Sequence, residues 1–131
     1  MLTGTCHCGA CNWTLAAVPA SVTACSCTIC RRTGALWAYG FLGQDVTVSG
    51  TTTAYRRADG KELEFQFCPT CGSMLYNMAR EARADGTRWI AVNCRMTDPA
   101  PLLDLPVDHF DGHDTWEDLP PDGRKVRDMW F

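Results

Sequence analysis

The chemistry this sequence can offer lies mainly in its cysteines, nine in 131 residues. They fall into sets: Cys6-x-Cys8, Cys25-x-Cys27-x-x-Cys30 and Cys68-Pro69-Thr70-Cys71-Gly72, with Cys11 and Cys94 left over. An odd count, with no basic-then-apolar segment opening the chain, argues against a disulfide framework and makes metal binding the leading explanation. In a zinc knuckle two thiolates converge on one ion at about 2.3 Å, and the turn between them aims backbone N–H groups at the sulfurs. Pro69 fixes φ where that turn begins, and Gly72 permits the reversal after it. Such a knuckle needs a second pair to complete a tetrahedron. Cys6 and Cys8 are its natural partners, because residues two apart on an extended strand face the same side. A redox Cys-x-x-Cys is the competing reading, but that motif opens a helix in a βαβ unit, whereas Cys68 and Cys71 stand between two strand-like segments.

The middle set has three cysteines. Closed structural zinc sites take four protein ligands, while catalytic sites commonly hold three and keep a position for water or substrate. Cys25, Cys27 and Cys30 can supply three thiolates from one short turn, and no fourth ligand stands nearby: His7 belongs to the first pair's strand, and His109 and His113 lie in an acidic tail. Two other readings remain open, a second closed site completed by Cys94 or Cys11, and thiols that pack in the core. Arg31 and Arg32 follow Cys30 directly and are candidates to clamp substrate carboxylates, with solvated surface as the alternative. Trp37, Tyr39 and Phe41 alternate and share one face, which reads as core, or as the wall of an entrance to the second metal.

The elements that must position these residues are mostly strands. Segments 35–42, 47–55, 63–67, 74–78 and 89–93 are short and rich in Val, Tyr, Phe, Trp and Thr, and Ser49-Gly50, Asp59-Gly60 and Asp85-Gly86 punctuate them as turns. Segments 27–32 and 78–84 are the helix-competent ones. From Asp98 the chain becomes rich in Pro and Asp; Phe110, Trp116, Trp130 and Phe131 give it apolar anchors, so residues 98–131 are expected as an extended tail wrapping a single domain, without sheet ladders.

Composition narrows the function. With 46% apolar and 21% charged residues the chain reads as one globular domain, and its apolar runs are too short to span a bilayer, so a cytoplasmic protein without a membrane partner is expected. The formal net charge is −3, with nine acids against three bases in residues 98–131. Seven thiolates and two zinc ions would take it to −6, so a nucleic-acid partner is disfavoured, although Arg31, Arg32, Arg56, Arg57 and Arg95 offer a local patch.

Three segments, 4–10 with Cys6 and Cys8, 25–34 with Cys25, Cys27, Cys30 and Arg31, and 67–73 with Cys68 and Cys71, resemble the cysteine motifs of the glutathione-dependent formaldehyde-activating enzymes, a family that includes centromere protein V. Segments 92–98 and 109–116 are similar to later family segments. The resemblance implies a mainly β, Mss4-like (β-tent) zinc-binding domain with two zinc ions per chain. Cys6, Cys8, Cys68 and Cys71 match the structural site, and Cys25, Cys27 and Cys30 the catalytic one. The implied activity is that of a carbon–sulfur lyase, joining glutathione and formaldehyde into S-hydroxymethylglutathione. Either a deprotonated thiol attacks the aldehyde or the metal polarises the aldehyde oxygen for a free thiol. The rival from another class is a zinc-stabilised module that binds a protein or nucleic acid without catalysis.

Overall fold

The computed structural model describes residues 1–59 and 62–129. Ten short strands build two sheets. The smaller is antiparallel, in the order β1 (Leu2–Thr5), β2 (Asn12–Leu15), β5 (Val46–Ser49). The larger has seven strands, in the order β10 (Val107–Phe110), β3 (Val22–Cys25), β4 (Leu36–Phe41), β9 (Trp89–Asn93), β8 (Met74–Ala79), β7 (Leu63–Phe67), β6 (Thr53–Arg56). Among the described residues β10 and β3 pair in parallel, and the other strand pairs of this sheet are antiparallel. Among the described residues no helix is long and apolar enough to cross a membrane.

Side chains alternate across a strand, so the large sheet has two faces of different use. Leu36, Ala38, Tyr76, Ile90 and Val92 point to one, where they meet Leu2, Trp13, Leu15 and Val46 of the small sheet in the main core. Trp13 is fully buried, and Gly4 opposite it has no side chain because a Cβ there would collide with the indole ring. Trp37, Phe65 and Ala91 point to the other face, where they cluster with Cys27 and Cys30.

Several expectations from the sequence need correction. Segment 47–55 is two strands in different sheets, not one. Gly50 divides it with φ of +89°, and a Cβ there would strike the carbonyl oxygen of Ala10, so only glycine fits the crossing. Segment 78–84 forms no helix: β8 continues through Ala79 because pairing with β7 and β9 outweighs local helix propensity. Segment 27–32 yields a single turn, α1 (Cys30–Thr33), closed by Gly34 in the left-handed region. The Asp85-Gly86 turn is present between β8 and β9. Asp59-Gly60 lies partly, and Trp130 and Phe131 lie wholly, outside the described residues.

The tail departs furthest from expectation. Val107–Phe110 does enter the ladder, as an edge strand whose flanking prolines stay outside the paired stretch. Leu102, Val107 and Val126 reach the main core, at most 3% exposed, and Arg95 donates to the carbonyl oxygens of Gly34 and Met129. Leu102, Val107 and Val126 thus anchor the tail in the main core, while most other tail residues are exposed. Leu102→Ala should therefore lower unfolding free energy by roughly 2–5 kcal/mol in urea titrations, the range for a buried leucine truncation. Leu119→Ala, at an exposed tail position, should change it by less than about 0.5 kcal/mol.

Candidate functional site

Two groups of sulfurs converge. In the first, the hairpin between β1 and β2 brings Cys6 and Cys8, and the turn between β7 and β8 brings Cys68 and Cys71, until all four Sγ atoms lie within 4.8 Å of one another. The expected reason for the first pair needs correction: Cys6 and Cys8 lie in a turn after β1, tightened by Gly9 at φ +83°, and not on a strand. Sγ of Cys8 stands 3.6 Å from those of Cys6 and Cys68. Four thiolates at about 2.3 Å from a tetrahedral ion would be separated by about 3.8 Å, so the group fits a metal. The Cys11 N–H donates to the Cys6 sulfur at 3.3 Å. The Ser73 hydroxyl, followed by backbone N–H groups, holds the Cys71 thiol down at about 5.

The second group comes from one segment. β3 ends at Cys25, and α1 begins at Cys30, with Cys27 between them. The Cys27 N–H donates to the Cys25 sulfur and the Cys30 N–H to the Cys27 sulfur, both at 3.4 Å, and the Trp37 indole N–H donates to the Cys30 sulfur at 3.2 Å. Hydrogen bonds with Cys25 and then Cys30 pull Cys27 down to about 2, while Cys27 pushes Cys25 up, and Cys25 and then Cys27 push Cys30 up. Such a trio stabilises negative charge only when neighbours keep their protons or a cation replaces them. Among the described residues no fourth His, Cys, Asp or Glu atom joins the group.

The two leftover cysteines stand apart from this trio. Cys11 is buried beside the first group and donates to the Thr51 carbonyl oxygen at 3.2 Å. Cys94 is fully buried in the main core, where burial pushes its thiol up to about 12. Neither completes the second group, so the alternative of a closed four-cysteine site is not met in the structure.

Cys25, Cys27 and Cys30 lie in the wall of a cavity of about 820 Å³. Its sheet side carries Trp37, Tyr39, Phe65, Asn77 and Trp89. Trp37 and Tyr39 thus belong to the cavity wall, the less favoured of the two sequence readings, while Phe41 is absent from it and lies under the Arg83 guanidinium. Arg31 is exposed and lines no part of this cavity, and Arg32 turns back to donate to the Thr28 carbonyl oxygen. The arginine that does reach it is Arg57. Burial works against the Arg57 charge, but Asp59 and Cys27 outweigh that, and its pKa is raised. Other members of the expected cationic patch are also engaged, Arg56 with Glu64 and Arg95 with backbone carbonyls.

The remaining wall is the tail, which sequence reasoning did not place here. Phe110 pairs with Cys25 across the β10–β3 ladder, and the Ser26 N–H donates to the Phe110 carbonyl oxygen at 3.1 Å. The Asp111 carboxylate then accepts from the N–H groups of Asp114, Thr115 and His113, which hold it down at about 2 and fold residues 111–116 into a tight loop. Trp116 closes the loop with φ of +59° and packs edge-on against Phe110. Gly112 lies so close to the sulfurs that a Cβ there would stand 2.6 Å from Cys27 Cβ and 2.8 Å from Cys25 Sγ. The sequence offered little signal for β10: Val107-Asp108-His109-Phe110 does not alternate apolar with polar, and prolines stand before and after it.

Residues 1–102 match the glutathione-dependent formaldehyde-activating enzymes, and the chain belongs to that family. Its fold is therefore the mainly β, Mss4-like one. Among solved structures it is similar to a Rhodobacter sphaeroides protein, at 28% identity and a TM-score of 0.60, over 81% of this chain and 99% of that one. No curated protein matches it.

Gly112 gives a test of how the tail supports the second group. Gly112→Ala should reduce thiolate-bound cobalt(II), read from its charge-transfer absorption, from two equivalents per chain to one, because Cys25 and Cys27 must shift to admit the methyl group. The remaining equivalent should disappear only when Cys68 is also changed to Ser.

Proposed function

We propose that the chain is a zinc enzyme of the carbon–sulfur lyase type, interconverting a thiol and an aldehyde with their adduct, as in glutathione plus formaldehyde to S-hydroxymethylglutathione. The observation that carries this reading is the cysteine trio without a fourth protein ligand, set in the wall of a cavity large enough for a substrate. Family membership supports the choice of thiol and aldehyde, and the four-cysteine group is then the structural zinc. A cytoplasmic setting suits nine cysteines, none of which is held in a disulfide.

The reaction is an addition: a carbon–sulfur bond forms, the carbonyl π bond opens, and the thiol proton ends on the new hydroxyl. Neither partner is oxidised or reduced. Zinc, when bound, supplies a Lewis acid that favours thiolate over thiol and polarises a carbonyl oxygen. The chain's own groups hold that chemistry in place. Backbone N–H groups of Cys27 and Cys30 and the Trp37 indole fix the sulfurs, so the trio is preorganised before any ligand arrives. Phe110, Trp116 and Leu119 shield the cavity from one side. Since thiols add to formaldehyde without help, the enzyme's advantage lies in holding both reactants together.

Three variants test this reading. Cys68→Ser should abolish cooperative unfolding, because structural zinc binding is coupled to folding. Cys27→Ser should keep the fold, lose one zinc equivalent, and reduce glutathione–formaldehyde exchange, followed by exchange NMR at equilibrium, to the uncatalysed rate. Cys94→Ala should leave zinc stoichiometry and exchange unchanged. Wild-type exchange no faster than the protein-free control, with both zinc ions bound, overturns the enzymatic reading in favour of a zinc-stabilised binding module.

A further inference from the structure

The cavity around Cys25, Cys27 and Cys30 has a chemical character that neither the trio nor the family dictates. Its walls are largely apolar: Trp37, Leu63, Phe65 and Trp89 come from the sheet, and Phe110 and Leu119 from the tail. Its mouth is apolar as well. Of the six large hydrophobic side chains most exposed among the described residues, three gather there: Tyr39 at 48%, Trp116 at 43% and Leu119 at 46%. Exposed apolar surface gathered at one opening marks a place that receives apolar matter.

Charge points the same way. Arg57 is the single lysine or arginine among the described residues lining this cavity, and its guanidinium is already 2.6 Å from an Asp59 carboxylate oxygen. Asp108 and Asp118 add two carboxylates to the lining. A peptide thiol with two carboxylates would find no uncommitted cation and would meet like charge at the rim, which costs binding. A pocket of about 820 Å³ has room for either kind of thiol, so the choice between them falls to the lining and its charge.

Among the described residues, two polar atoms of the lining have no hydrogen-bond partner: His109 Nε2, which stands 3.2 Å from an Asp122 carboxylate oxygen, and the neutral Asn77 carboxamide oxygen. Asn77 is 3% exposed, pairs between Phe65 on β7 and Ala91 on β9, and lines the cavity, yet its carboxamide oxygen accepts no hydrogen bond. A buried acceptor in this state favours a ligand that brings a neutral donor to it. The hydroxyl created when a thiol adds to an aldehyde is such a donor.

We propose that this cavity selects a thiol, and the hydroxyalkyl adduct it forms with an aldehyde, whose body is apolar or aromatic and carries no net negative charge, in preference to a dicarboxylate peptide thiol. The apolar body lies along Phe65 and Trp89, and the adduct hydroxyl donates to Asn77. This assignment deepens the proposed reaction and rests on its taking place at the Cys25, Cys27 and Cys30 group.

The test is binding to the zinc-loaded protein, read by isothermal titration and by quenching of tryptophan fluorescence, since Trp37, Trp89 and Trp116 all line the cavity. Benzyl mercaptan should bind at least tenfold more tightly than glutathione, and 2-mercaptoethanol, which is neutral but has no apolar body, should bind more weakly than benzyl mercaptan. Cys27→Ser should remove the binding of all three. Trp89→Ala should weaken benzyl mercaptan several-fold more than 2-mercaptoethanol. Asp118→Lys, at an exposed position of the cavity lining, should tighten glutathione roughly fivefold and change benzyl mercaptan, which carries no carboxylate, much less. Glutathione binding as tightly as benzyl mercaptan, or no binding of either, overturns the proposal. The order of affinities is independent of turnover: the expected order without accelerated exchange with formaldehyde for any thiol supports the selectivity and overturns the proposed reaction, whereas accelerated exchange with the reverse order does the opposite.

Discussion

Sulfur charge is the constraint on which this structure depends. Cys8 and Cys68 are 60 positions apart in sequence and their sulfurs stand 3.6 Å apart in space, with Cys6 and Cys71 completing the group. Four thiolates so close repel one another strongly, and four thiols make only weak hydrogen bonds, so the arrangement is consistent with a metal cation at its centre. The two hairpins that meet there belong to different sheets: Cys6 and Cys8 lie between β1 and β2, and Cys68 and Cys71 between β7 and β8. A cation at this point therefore holds the small sheet to the large one beside the core of Trp13, Leu75 and Val92. In a domain of this length, such a staple supplements a hydrophobic core of limited size.

The two faces of the large sheet separate stability from chemistry. On β4, Leu36 and Ala38 enter the main core, while Trp37 and Tyr39 face the cavity. On β8, Tyr76 belongs to the core and Asn77 to the cavity. A period of two thus lets one strand serve both purposes, and a one-residue slip in its register would exchange them. Buried polar groups follow this division. Asn93 is fully engaged, donating to the Met74 carbonyl oxygen and accepting from the Leu36 and Arg95 N–H groups, so it fixes structure. The Asn77 carboxamide oxygen has no such partner, and the difference marks which face has room for a ligand.

The two cysteine groups were legible in the sequence because their spacing is local: Cys25, Cys27 and Cys30 share one turn, and each half of the other group shares another. The strands 63–67, 74–79 and 89–93 were legible for a related reason, since β-branched and aromatic residues sit between clear turn signals. Apart from the pairing of Cys6 and Cys8 with Cys68 and Cys71, non-local features were not legible. Segment 47–55 was read as one strand although the Ser49-Gly50 turn signal lies inside it, and the contact of Gly50 with Ala10 and Cys11 shows why the chain must leave one sheet there. Arg31 adjoins a cysteine of the trio in sequence but points away from the cavity, while Arg57 arrives from residues just beyond β6. The sharing of one face by Trp37 and Tyr39 followed from alternation alone, but whether that face meets core or cavity depends on what covers it.

What covers it is the tail, and this bears on how the family resemblance should be used. Both sulfur groups fall within residues 1–102, the part that matches the family. The tail side of the cavity, from Asp108 to Leu119, lies beyond that match. Parallel pairing of β10 with β3 brings Phe110 level with Cys25, and the loop fastened by Asp111 sets Gly112 against Cys27. These contacts require a glycine at 112 and a loop folded tightly enough to deliver it, but they leave the residues facing the opening free to vary. The sulfur half of the site therefore follows the family. The rest of the cavity is only partly within the match, with Phe65, Asn77 and Trp89 inside it and Phe110, Trp116 and Leu119 beyond it, so resemblance at the cysteines transfers the proposed chemistry more directly than it transfers the substrate.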